Sequence, residues 1–178
     1  MDNSLLEEEI ENSIKILIPI FEISSEELKR FEKPRIIRNL SSTELPGISR
    51  HSSAYDFLRN LFYFPNEFPC HESTSRFKKQ TINHEVGHYI HFQINKSPMI
   101  KYDELLRGEV NERIMGNWLE LVAEYGNFII GPQEYIDHYL VEFAYPQVKK
   151  IYDRFGSAFL PELARMSFEE VTSKGIIG

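Results

Sequence analysis

Phe77-Lys78-Lys79-Gln80-Thr81-Ile82-Asn83-His84-Glu85-Val86-Gly87-His88-Tyr89-Ile90 is the stretch whose reading decides the fold. Apolar residues recur at Phe77, Ile82, Val86, Tyr89, Ile90 and Ile94, close to the period of a helix. Ser73, Thr74 and Ser75 offer N-caps, and neither Pro nor Gly interrupts the run up to Asn83. The pattern predicts a helix of about twenty residues. On it, His84 and His88 are four residues apart, just over one turn, and share a face. Two imidazoles placed that way can reach one metal ion. Glu85 then lies beside the ion rather than across from it, where a general base takes a proton from a bound water.

Working outward, the chemistry needs a third protein ligand and an open position. His91 lies on nearly the same stripe, but seven residues of helix rise about 10.5 Å. Two donors on one zinc sit no more than about 4.2 Å apart. His91 is therefore read as a packing histidine or a neighbour of the ligands. Gly87 costs a helix interior about 1 kcal/mol relative to Ala, which implies that something packs close against it.

The third ligand is sought in Trp118-Leu119-Glu120-Leu121-Val122-Ala123-Glu124-Tyr125. Its two carboxylates are four apart on one helical face, in an apolar run that predicts burial. Buried carboxylates are costly unless paired or metal-bound. Glu120 is assigned as the ligand, and Glu124 as the acceptor of a ligand histidine's free N–H. Glu112, flanked by Asn111 and Arg113, is a weaker rival with the look of an exposed residue.

Three specified residues in five positions recur by chance in roughly one chain in a hundred of this length, so the second helix carries much of the weight. With both segments in view, the chain resembles the gluzincin group of zinc metallopeptidases. In that group a His-Glu-x-x-His helix is followed by a helix carrying a glutamate ligand. Thermolysin-like enzymes show Glu-x-x-x-Asp there, and leukotriene-A4-hydrolase-like aminopeptidases show Trp-Leu-Asn-Glu-Gly-Phe-Ala. The resemblance covers about fifty residues and implies a zincin-like catalytic domain. It implies one Zn²⁺ per chain on His84, His88 and Glu120, Glu85 as base, Glu124 as orienting acid, and a peptide or protein substrate. The Asn before the ligand glutamate is missing here, as is the Gly-x-Met-Glu-Asn motif of the aminopeptidases. The longer metzincin pattern fails as well, because its Gly and last His positions are His91 and Ile94.

The rest of the chain supplies context. Its 178 residues suit a single domain, 1–178, with one core. A hydrophobic content of 42% with 13% aromatics is that of a globular chain. A net charge of −7 excludes a general nucleic-acid binder, whose footprint is basic. Cys70 is the sole cysteine, so no internal disulfide forms. The apolar stretch Ile14 to Ile23 is too short for a membrane span and contains Pro19. Without a basic start or signal-like run, the expected location is cytoplasmic. The sequence assigns no oligomeric state.

The predicted elements begin with a helix over 3–18 and a capped short helix at Ser24-Ser25-Glu26-Glu27-Leu28, with Pro34 beyond it. Strands are expected at Arg35–Leu40 and Arg59–Pro65, with a turn at Pro46-Gly47. The second strand is an ordinary sheet strand on the plainer reading; the resemblance implies instead that it borders the cleft and pairs with an extended peptide substrate. After a loop at Lys96-Ser97-Pro98, a helical region from Tyr102 to Ile130 carries Glu120, with an interruption near Gly116 and a break at Gly131-Pro132. A helix from Gln133 to about Tyr145, then Pro146, then one or two helices to Val171 complete the chain. The expected class is α+β, helix-dominated, with a small N-terminal sheet. Tyr135, His138 and Tyr139 are candidate oxyanion donors, although packing is the plainer role for any one of them. His51 and His71 read as solvated. Ile176 and Ile177 either pack on the domain's own core, the plainer reading, or occupy the cleft as a latent substrate mimic. Two function classes stand: a zinc peptidase, and a catalytically silent gluzincin-like module that acts through a protein partner. A scaffold would not need Glu85, which favours the peptidase.

Overall fold

The structure is a computed structural model that describes residues 3–38, 53–64, 75–131 and 141–177. Helix α1, Asn3–Ile20, buries Leu6, Ile10 and Leu17 at helical spacing and carries Pro19 in its last turn. Helix α2, Ser25–Leu28, starts with a capping box: the Ser24 hydroxyl accepts from the Glu27 amide, and the Glu27 carboxylate accepts from the Ser24 amide.

Three short strands follow: β1 (Arg35–Arg38), β2 (Ala54–Asp56) and β3 (Leu61–Phe64). Their order is β1-β3-β2, with β1 parallel and β2 antiparallel to β3. All four residues of β3 are buried, as a central strand covered on both faces requires. Asn60 enters β3 with φ of 48°, in the left-handed region that asparagine tolerates. Its side chain fixes that turn, accepting from Tyr55 Oη at 2.9 Å and donating to the Glu32 carbonyl at 3.1 Å.

Helix α3, Ser75–Ile94, packs on the sheet through Tyr89, whose ring lies 5.7 Å from those of Tyr55 and Phe62. Helices α4 (Ser97–Leu106) and α5 (Glu112–Ile130) follow, then α6 (Val141–Phe155), a 3₁₀ turn at Ser157–Phe159, α7 (Leu160–Arg165) and α8 (Phe168–Ser173). One hydrophobic cluster joins α1, the sheet and helices α3 and α5 to α8. Asn95, just past α3, ties it to the end of α7 by donating to the Ala164 and Met166 carbonyls. The architecture is α+β and helix-dominated, with a small mixed sheet near the N-terminus. Among the described residues no helix is long and apolar enough to cross a membrane.

Several elements differ from the sequence expectation. The break expected near Gly116 falls earlier, at Arg107–Asn111. Gly108 turns the chain there with φ of 73°, and the Asn111 side chain caps α5 by accepting from the Ile114 amide. Gly116 sits inside an unbroken helix. Pro98 does not mark a loop but opens α4, where its missing N–H is no loss. Pro146 lies within α6 rather than ending a helix. Strand β2 was not expected. It occupies one edge of the sheet, whereas β3, the strand that the resemblance pairs with a substrate, has β1 and β2 on its two sides. At the C-terminus Ile177 is buried in the core, and the Ile176 carbonyl accepts from Gln147 Nε2 at 2.6 Å. The tail therefore packs on its own domain. The Pro46-Gly47 turn, His51, Cys70 and His71 lie outside the described residues, as do Asn39, Leu40 and the first part of the helix expected from Gln133.

Candidate metal centre

Helix α3 buries Ile82, Val86 and Ile90 on one side and keeps His84 and His88 on an adjacent face, turned towards α5. The two helices run antiparallel: His84 meets Glu124, Gly87 meets Ala123, and His91 meets Trp118. Gly87 makes this approach possible. A Cβ there would lie 3.0 Å from Ala123 Cα and 3.2 Å from its carbonyl oxygen, both of them backbone atoms. The close contact implied by a glycine inside this helix is thus the backbone of α5.

With the helices this near, the side chains converge. His84 Nε2 and His88 Nε2 are 3.0 Å apart. Glu120 Oε2 lies 3.3 Å from His84 Nε2, and Glu120 Oε1 lies 3.4 Å from His88 Nε2. Glu120 sits at the open side of the group, its side chain 47% exposed. Glu85 sits on the closed side, 6% exposed, and accepts a hydrogen bond from the Tyr55 amide of β2. The donor atoms of His84, Glu85 and His88 all lie within 4.8 Å of one another, so these three residues could hold a metal ion. Behind them, Glu124 places Oε1 2.7 Å from His84 Nδ1, leaving Nε2 to face the site. Glu124 is 5% exposed, and Asn127 Nδ2 donates to its other oxygen at 3.5 Å.

The electrostatics follow from this crowding. Burial alone pushes the His84 imidazole down, but the Glu124 and Glu120 carboxylates outweigh it and hold its pKa well above the ordinary value. Burial likewise pushes Glu120 up, and the His88 and His84 imidazoles reverse this, leaving its carboxyl well below the usual range. For Glu85 burial prevails over the two imidazoles and the Tyr55 amide, and its pKa is raised. One compact group thus mixes a carboxyl biased towards the neutral form, Glu85, with one biased towards charge, Glu120.

The remaining candidates separate cleanly. His91 is fully buried, with its ring edge-on to Trp118 at 5.3 Å, and faces none of the carboxylates. Burial pushes its pKa down to about 3, with a smaller contribution from His88. Glu112 lies in the exposed first turn of α5, eight residues and a rise of about 12 Å before Glu120. Tyr135, His138 and Tyr139 lie outside the described residues. Two participants were missed. The Tyr55 amide has no sequence signal, because any residue supplies one. Asn127 did have a signal: from Leu121 to Phe128 every residue is buried, and besides Glu124 only Asn127 is a polar side chain without an aromatic body.

No protein-family model, no curated protein and no solved structure matches this chain.

Proposed function

We propose that this chain is a zinc-dependent peptidase of gluzincin type. The reading is carried by the convergence of His84, His88 and Glu120 from two helices on one spot, with Glu85 buried beside it. Ligands about 2.0–2.1 Å from a tetrahedral zinc sit roughly 3.3 Å apart. The three separations here, 3.0, 3.3 and 3.4 Å, bracket that spacing. Glu124 supports the same reading, since a carboxylate on Nδ1 is how ligand histidines are held in one tautomer. A zinc ion bound by these residues would supply a Lewis acid and lower the pKa of its water to near neutral.

The chain's own residues then divide the work. His84 and His88 present Nε2 lone pairs, and Glu124, beside His84 Nδ1, orients His84. Glu120 brings one negative charge and leaves the outer side open for a substrate. Glu85 takes up the proton of the attacking water and passes it to the amine that leaves when the C–N bond breaks. The Tyr55 amide holds the Glu85 carboxylate in place from the edge strand. An extended peptide would meet β2, not β3, because β3 is already paired on both sides.

A second reading has one observation in its favour. The Glu85 carboxylate lies within 4.8 Å of both histidines and could itself be a ligand. A metal-binding module acting through a protein partner would then have no free base. Glu85→Gln separates the two. The peptidase reading expects the variant to keep one zinc per chain and lose about 10²–10⁴-fold of its hydrolysis of a quenched-fluorescence peptide library. Loss of the metal in Glu85→Gln, with no hydrolysis by the wild type, would establish the module instead.

A further inference from the structure

We infer that Asn127 is a positioning residue for His84, acting through the Glu124 carboxylate. The inference rests on the metal-site reading above and extends it one residue deeper. Asn127 is 6% exposed in the most buried stretch of α5, where an apolar side chain would pack at no polar cost. Asparagine is also a poor helix former. Neither propensity nor burial explains it, but its contact does. Nδ2 donates to Glu124 Oε2 at 3.5 Å, while Glu124 Oε1 lies 2.7 Å from His84 Nδ1. The contacts run in order from amide to carboxylate to imidazole.

A donor on the second oxygen adds to what restrains a buried carboxylate against rotation about its last bond. The spacing suits the task, because Glu124 and Asn127 are three apart on α5 and therefore neighbours on one face. The amide is neutral, so it anchors the carboxylate without competing with His84 for its charge. A lysine or arginine there would form an ion pair with Glu124 and weaken its hold on the imidazole.

The test uses the full chain and Zn²⁺ itself, measured by competition with a chromophoric chelator. Asn127→Leu keeps the branched shape with the same number of heavy atoms and removes the donor. Its zinc affinity should fall about tenfold, the low end of the range for residues behind metal ligands. The melting temperature of the metal-free protein should stay within a few degrees of wild type, because a buried polar group has been replaced by an apolar one of similar shape. A double-mutant cycle supplies the readout that a packing role would not move. In a Glu124→Gln background, Asn127→Leu should have no further effect on zinc affinity. Equal affinity of wild type and Asn127→Leu would overturn the inference while leaving the metal site intact. Additive losses in the cycle would also overturn it. A wild type that binds zinc no better than His84→Ala would remove the reading beneath it, a separate result. Asn127→Ser, run in parallel, decides by the same criteria if the Leu variant does not fold. Loss of fold in both would make Asn127 structural and overturn the proposal.

Discussion

Helices α3 and α5 share one seam, and its two ends treat the same residue type in opposite ways. At one end His84 meets Glu124 and Glu120, and its pKa is held well above the ordinary value. Two turns along, His91 meets Trp118, and its pKa is pushed down to about 3. Both imidazoles are enclosed, so burial does not separate them. The facing helix does. Carboxylates stabilise a charge or recruit a metal, whereas the Trp118 indole, at right angles to the imidazole, brings no opposite charge. A histidine's position on its own helix therefore says little about its role until the opposite residue is known.

The comparison breaks most sharply through the metal. His84→Leu should abolish measurable one-to-one zinc binding, a larger loss than the roughly 10–100-fold expected for an outer partner. His91→Leu should leave zinc binding unchanged, because His91 faces none of the carboxylates at the site. Calorimetric titration of both variants checks this. Equal losses in the two would mean that the two ends of the seam are not distinct.

The seam itself is the next target. At Gly87 a methyl group would meet the backbone of Ala123, which cannot rotate away. Gly87→Ala should therefore cost about 1–3 kcal/mol as overpacking, despite the gain in helix propensity. Its zinc affinity should also weaken, since spreading α3 from α5 spreads His84 and His88 from Glu120. Thermal melts with and without zinc measure both effects. An unchanged melting temperature would show that α5 yields freely at this point.

A third way to sharpen the contrast is pH. His91 has a folded pKa near 3 and an ordinary value of 6.5, so between these the unfolded chain binds the extra proton. Stability from this group is then fully present above about pH 6.5 and declines as pH falls towards 3. At pH 5 the loss relative to neutral pH is on the order of 2 kcal/mol. Denaturant titrations of the metal-free wild type and of His91→Leu at pH 7 and 5 should differ by this amount, because His84, whose raised pKa acts with the opposite sign, titrates alike in both. A pH slope identical in the two proteins would mean that His91 finds a proton partner in the folded state.

How much of this was legible depended on whether the information was local. Helix α3 was readable because Ile82, Val86 and Ile90 mark its buried side and His84 and His88 sit one turn apart. The pair Glu120 and Glu124 was readable because carboxylates four apart stand out in an apolar run. Strand β2 was not, since Ala54-Tyr55-Asp56 carries no alternation and becomes a strand only by pairing with β3. The hydrogen bond from the Tyr55 amide to Glu85 was invisible for the same reason. Asn127 was legible in principle, as a polar residue one turn after Glu124 in a buried stretch, once Glu124 was itself given a role.

The break before α5 shows the limit best, and it sets the smallest prediction. Gly108 and Gly116 look alike in sequence, and the interruption was expected at the second. The structure places it at the first, where φ is 73°, with Asn111 capping the helix that follows. Gly116 lies within α5, and a Cβ there would meet nothing within 4 Å. Gly116→Ala should therefore stabilise the protein by about 0.5–1 kcal/mol, because alanine loses less backbone entropy in a helix and clashes with nothing. The same substitution at Gly87 has the opposite sign. Melting temperatures of the two single variants measured side by side test the pair, and destabilisation by Gly116→Ala would mean that α5 is bent or broken where the structure shows it continuous.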